Sequence, residues 1–209
     1  MTAVVPPSPE AGSKPAQILE AASRLFLEHG YGAVSMDTVA KTANVSKATL
    51  YAHFRSKDEL FAAMVAGECR AHMSALSCEE VSRMEVEEVL RQIGLRFLGM
   101  LTSPKALAGF RMVVAEAHRF PELARAFYES GPARSLAQMT AVLTEADRRG
   151  KLSVPDPRLA AEQFLGMLKA DAHLRMMLCL QDPPSGADRE RIVDSAVRLF
   201  TRGYAPEEK

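Results

Sequence analysis

Residues 35–60 hold two short apolar-periodic runs, a polar break between them and a third helix start, a punctuation that few folds accommodate. Ser35 precedes a run in which Met36, Val39, Ala40 and Ala43 fall at helical spacing, which makes it an N-cap. Asn44 follows that run and is, after Gly, the residue best able to take the left-handed conformation that closes a helix. Ser46 then caps a second helix, in which Leu50 and Phe54 lie one turn apart. Ser56, with Glu59 three residues on, forms a capping box that opens a third. Two short helices joined by so tight a turn predict a helix-turn-helix, whose second helix fits a DNA major groove.

Charge agrees with that geometry. Between Thr38 and Lys57 the chain carries Lys41, Lys47, Arg55 and Lys57 and no acid, although the whole chain balances 26 basic against 26 acidic residues. Phosphate recognition needs only such a local patch. Lys47, Ala48 and Thr49 occupy the first turn of the second helix, the turn that meets base edges. Lys47 can donate to guanine O6 and N7, while Ala48 and Thr49 can touch a thymine methyl or a base acceptor. The Ser46 hydroxyl and nearby N–H groups would face phosphate. Thr38, with Ser35 beside it, is a further candidate contact. Ser46 could equally serve only as a cap, Tyr51 as core and Lys57 as a solvated first-turn lysine.

Gly30-Tyr31, Val39-Ala40, the run from Val45 to Phe54 and Ser56-Lys57-Asp58-Glu59-Leu60 together resemble the DNA-binding domain of the TetR/AcrR family of transcriptional regulators, over residues 18–65. One departure is Asn44, where that family commonly has Gly; Asn supplies the same backbone conformation. The resemblance implies that Tyr51, His53 and Lys57 contact backbone phosphates.

The remainder of the chain predicts an all-α protein. Hydrophobic residues make up 47% and aromatic ones 6%, with no β-alternating run, so the core is aliphatic and helical. Of 209 residues, 1–14 are rich in Pro, Ser and Ala and read as a disordered tail, 15–60 as the DNA-binding domain, and 61–205 as a larger helical ligand-binding and dimerisation domain. The helix opening at Lys57 links the two. A polar break follows over 74–82, then helices over 86–101, 104–118, 121–149 with a kink or restart at Gly131-Pro132, 157–180 and 188–203. Neither a signal peptide nor a membrane-spanning run is present, and the three cysteines make no disulfide framework, so a cytoplasmic protein with no membrane partner is expected.

Ala115 to Ala124 and Ala160 to Gly166 are similar to the AefR-like subgroup of the same family. Residues 157–180 carry Leu159, Phe164, Leu165, Met167, Leu168, Leu174, Met176, Met177 and Leu178 on most of the helix circumference, so several sides must be covered. The last helix adds Ile192, Val193, Ala196, Val197, Leu199 and Phe200. The resemblance implies that these two helices pair with their symmetry mates in a homodimer, which suits a palindromic operator with half-sites about 34 Å apart. An ordinary intrachain core would read the same way.

Phe97, Met100, Phe110, Val114, His118, Phe127, Tyr128, Phe164, Met167 and Asp171 are the candidates for lining a site for a small apolar effector, with simple core as the alternative at each. His118 and Asp171 lie among apolar neighbours in sequence and would need partners if buried. The function expected is that of a DNA-binding repressor released by such an effector. With three or four phosphate contacts per subunit, the slope of log K against log salt is expected at about −5 to −7.

An enzyme is not expected. His118 with Glu116, or His173 with Asp171, lacks a nucleophile motif, a phosphate loop and a metal-ligand spacing, so no catalytic residue, cofactor or metal site is assigned. A redox- or metal-sensing regulator is the alternative, since Cys69 and His72 share a helix face, though no close third ligand is visible. A sequence-indifferent, nucleoid-like binder is the third reading.

Overall fold

The computed structural model describes residues 12–72 and 84–206. Among these residues there are ten helices and no strand: α1 (Lys14–His29), α2 (Met36–Thr42), α3 (Lys47–His53), α4 (Lys57–His72), α5 (Val86–Leu101), α6 (Pro104–Glu116), α7 (Pro121–Ser130), α8 (Pro132–Arg148), α9 (Pro157–Met177) and α10 (Gly186–Gly203). The all-α class stands. Of the expected tail, residues 1–11 lie outside the described residues, whereas Ser13 caps α1 and Lys14 opens it. The expected break over 74–82 also lies outside them. No helix among the described residues is long and apolar enough to cross a membrane.

Packing divides the described residues into two units. One takes in 12–71 and 108–132; the other holds 72, 84–107 and 133–206. The expected boundary at residue 60 is thus not where packing draws the line, because α4, the end of α6 and α7 stay with the helix-turn-helix.

The physical reason is core size. Three helices of roughly 45 residues bury too little apolar surface to be stable alone. Within the first unit α1 contributes Ile18, Ala22, Leu25 and Phe26, α2 and α3 contribute Val39, Ala40, Leu50 and Phe54, and α4 closes over them with Leu60 and Phe61. Val113 of α6 and Leu123 of α7 complete this core. Each Val, Leu, Ile or Phe side chain among them, fully buried, contributes about 1.5–3 kcal/mol. Phe26, Tyr31 and Phe61 meet pairwise with ring centroids 5.3–5.9 Å apart.

In the second unit α5, α8, α9 and α10 surround Leu90, Phe97, Leu98, Met139, Leu143, Phe164, Leu168, Val193 and Phe200. Helices α5 and α10 approach so closely at Gly94 that a Cβ there would sit 2.8 Å from Val193 Cγ1. The Arg91–Asp194 ion pair, at 2.8 Å, fastens the same two helices. Helix α9 stops short of the expected Leu180. Cys179 takes φ 57, its N–H donates to the Met176 carbonyl and the Leu180 N–H to the Arg175 carbonyl, so a left-handed residue closes the helix early. The backbone also breaks within α9 at Ala170, where φ is 38 and ψ −159. The apolar list for this helix separates by burial: Phe164, Leu165, Leu168 and Met176 are buried, while Leu159, Leu174 and Leu178 are exposed.

Candidate nucleic-acid interface

Two hydroxyl caps and one left-handed asparagine shape the helix-turn-helix. Ser35 Oγ accepts the Thr38 N–H at 3.1 Å and lies 2.8 Å from Thr38 Oγ1. Ser46 repeats the arrangement with Thr49, at 3.0 and 2.8 Å. Between the helices Asn44 takes φ 52; its N–H donates to the Lys41 carbonyl and the Val45 N–H to the Ala40 carbonyl. That pair of bonds is a Schellman closure, which satisfies two terminal carbonyls of α2 and aims the chain at Ser46. The start of α4 differs from the expected capping box in one bond. Ser56 Oγ accepts the Glu59 N–H, but Glu59 Oε2 reaches back to the Arg55 N–H.

Helix α3 is anchored by Leu50, fully buried, with Phe54 at 6% exposure just beyond its last turn. With those two residues fixed, the rest of its surface faces outward. Lys47, Ala48, Tyr51 and His53 are exposed and Thr49 is half-buried. Tyr51, at 48% exposure, is therefore not core. Ser35, Thr38 and Ser46 are exposed as well, as are the basic residues Lys41 and Arg55.

Two lysines behave differently from simple surface cations. Lys47 forms an ion pair with Asp37 of α2, Nζ to Oδ2 2.5 Å, and the carboxylate raises the lysine pKa. Lys57 is half-buried and turned inward. Its Nζ donates to the carbonyls of Tyr31 (2.8 Å) and Val34 (3.0 Å), and it lies 4.2 Å from the centroid of the Tyr31 ring. Burial lowers its pKa, opposed by the charges of Asp58 and Glu116. The Tyr31 hydroxyl donates to Asp58 Oδ1, and burial first, then that bond, pushes its pKa upward, so the phenol stays neutral. Glu116 Oε1 accepts the Gly32 N–H at 3.4 Å, and the Phe120 ring lies 5.6 Å from Lys57 Nζ. The turn between α1 and α2 is thus held from α4 and from the α6–α7 corner.

The candidate effector residues are divided between the two units. Phe97 and Phe164 are buried in the second unit, with Met100 and Met167 packed against that core. Phe110 and Phe127 belong to the first unit, where their rings stack at 5.6 Å and 13°. Val114 and Tyr128, also in the first unit, are 60% and 52% exposed. His118 and Asp171 are exposed too, so the condition of burial under which either would need a partner is not met. His118 falls in the turn after α6, and Asp171 pairs with Arg175 one turn along, Oδ2 to Nε 2.7 Å. Cys69 is half-buried near Gly131, while the side chain of His72 lies outside the described residues. Asp37 is the interface residue the sequence reading passed over; its signal was its place in the first turn of α2, ten residues before Lys47.

Residues 18–64 match the model of bacterial regulatory proteins of the tetR family, and residues 88–206, more than half of the chain, match the AefR-like transcriptional repressor C-terminal domain. The chain belongs to the TetR family of transcriptional regulators. Among solved structures it is similar to the Flavonoid-responsive Regulator FrrA, with 37% identity, a TM-score of 0.78 and coverage of 95% of this chain and 100% of that one. It is also similar to a TetR transcriptional regulator from Agrobacterium tumefaciens, at 26% identity and a TM-score of 0.75, covering 93% of this chain and 96% of the other. The HTH-type transcriptional regulator YhgD of Bacillus subtilis (strain 168) is 57% identical over 44 residues, 21% of this chain. That match spans only 23% of YhgD's own length. TetR-family regulators bind operator DNA and function as dimers, and the fold and relatives are those of regulators rather than enzymes.

Proposed function

We propose that this TetR-family regulator is a repressor that binds a palindromic operator as a twofold dimer and is released by a small apolar effector. The observation that carries the DNA reading is helix α3, fixed beneath by Leu50 and Phe54 and presenting Lys47, Ala48, Tyr51 and His53 outward, with Thr49 beside them. In this reading Lys47, Ala48 and Thr49 meet base edges in the major groove. Thr49 Oγ1 is engaged with Ser46, which leaves its methyl group for a thymine methyl. Ser35, Thr38, Ser46, Tyr51 and His53 take phosphates, joined by Lys41 and Arg55. Lys57 has one N–H beyond the two given to carbonyls, and contributes that one.

Repression is supported by the C-terminal match to a repressor domain, and an aromatic, largely apolar effector by the likeness to a regulator described as flavonoid-responsive. Within the second unit, Phe97, Met100, Phe164 and Met167 are the residues proposed to line the site for such a ligand. For release, the effector must bind the DNA-free arrangement more tightly by at least a few kcal/mol.

The test is selection of bound genomic fragments, followed by salt titration of the selected duplex. With Lys47 paired and Lys57 mostly engaged, two or three cations per subunit remain, so the slope for a dimer is expected at about −4 to −5, shallower than the sequence alone implies. A slope near zero overturns the DNA reading. Titration of a flavonoid panel and of fatty acids into the complex tests release, and no dissociation by any of them removes the effector.

A further inference from the structure

We infer that Asp37 is a specificity-determining residue of the interface, holding Lys47 for use on a base and denying it to phosphate. The inference rests on the DNA reading of α3 proposed above. Asp37 stands in the first turn of α2 and Lys47 is the first residue of α3, so the ion pair bridges the two helices of the motif across the turn. Both side chains are exposed, at 49% and 63%, so the pair lies at the surface rather than within the core. From Thr38 to Lys57 no acid follows it, which leaves Asp37 as the one carboxylate of the residues between Ser35 and Lys57.

The chemistry separates two acceptors. A lysine ammonium has three N–H donors, and Asp37 takes one, so two remain for guanine O6 and N7. A guanine edge is neutral, so the carboxylate tolerates it. A phosphate brought to the same ammonium would stand within a few ångströms of the Asp37 carboxylate, and the two negative charges oppose each other. The pair is also neutral in sum. It releases no counterion on binding, and so adds nothing to the sequence-independent affinity that ordinary surface lysines supply. An exposed ion pair is weak, which lets Lys47 adjust to a base without a large loss. The Asp37 bond further raises the lysine pKa, so the ammonium stays charged.

The experiment compares wild type, Asp37→Asn, Asp37→Ser and Lys47→Met, with the double variant Asp37→Asn/Lys47→Met, on the selected operator and on a scrambled duplex. Binding is read by fluorescence anisotropy across a salt series, and thermal melts confirm the fold; two replacements at residue 37 separate loss of charge from local misfolding. Freeing one cation per subunit is expected to steepen the slope for the dimer by about 2 and to raise scrambled-duplex affinity about tenfold, so that discrimination falls. The double variant is expected to lose this gain. If either replacement at residue 37, folded, leaves slope and discrimination unchanged, or weakens both duplexes alike, Asp37 has no specificity role. If wild type itself binds neither duplex with a salt-dependent slope, it is the DNA reading that fails.

Discussion

The Lys57 ammonium lies 2.8 Å from the Tyr31 carbonyl and 4.2 Å from the centroid of the same residue's ring, so a single side chain holds both backbone and aromatic group of Tyr31. With the Val34 carbonyl as its second acceptor, it closes the turn that delivers the chain to α2. Replacing Lys57 with Met keeps the stem and removes the charge, leaving two carbonyls short of a donor. The expected cost is about 1–3 kcal/mol, reduced toward the lower figure by water reaching this half-buried site. A thermal melt should fall by roughly 5 °C. A melt equal to wild type would mean that water replaces the ammonium without loss.

Asn44 sits at φ 52 between α2 and α3, a conformation in which a Cβ is strained unless the side chain supports it. Asn44→Gly is expected to be within a few tenths of a kcal/mol of wild type, because glycine accepts the left-handed region freely. Asn44→Ala should cost about 1 kcal/mol, and Asn44→Val more, since a β-branched side chain fits that region worst. Chemical denaturation of the three variants checks the order, and a neutral Asn44→Val would overturn the turn's role in setting the angle between the helices.

Those two residues show what sequence reading reaches and where it stops. Asn44, Ser35 and Ser46 act on groups within five residues, and their chemistry is complete in the local pattern. Lys57 reaches acceptors 23 and 26 residues away, so its sequence neighbourhood suggests a solvated cation while the fold turns it inward. The Lys47–Asp37 pair bridges ten residues and two helices, beyond the reach of spacing rules within one helix. For His118, apolar sequence neighbours leave burial undecided, and its place in the turn after α6 is what keeps it exposed. Apolar content likewise could not separate core from uncovered surface in α9, because only tertiary packing decides which sides of that helix are occupied.

His173 on α9 is half-buried, and burial first, then the charge of Lys169, lowers its imidazole pKa below the usual 6.5. Its folded pKa is depressed, so the unfolded chain takes the proton more readily. The stability associated with neutral His173 is fully present above the unfolded pKa of 6.5 and is lost as the pH falls toward the folded value. Wild type should therefore melt lower at pH 5.5 than at pH 8, and His173→Gln, which cannot titrate, should show a smaller difference between those two conditions. An identical pH difference in the variant would place the acid sensitivity at other residues.

Leu174 on α9, Leu178 at its C-cap and Leu199 on α10 are 58%, 60% and 63% exposed, on the two helices that the family resemblance assigns to pairing with a second copy. Their neighbours Phe164, Leu168, Met176, Val193 and Phe200 are buried, so the exposed leucines are not needed to complete the subunit's own core. Pairing with a second copy needs contiguous apolar surface, and in the proposed dimer these leucines supply part of it. The variant Leu178→Glu/Leu199→Glu should keep its helical signal while moving from dimer to monomer by sedimentation, since a charge at each position cannot be desolvated against its symmetry mate without a partner. Operator affinity should then fall about 100-fold or more, because a monomer holds one half-site and loses the gain from linking two. A variant that stays dimeric and keeps its operator affinity would place the dimer contact elsewhere on the chain.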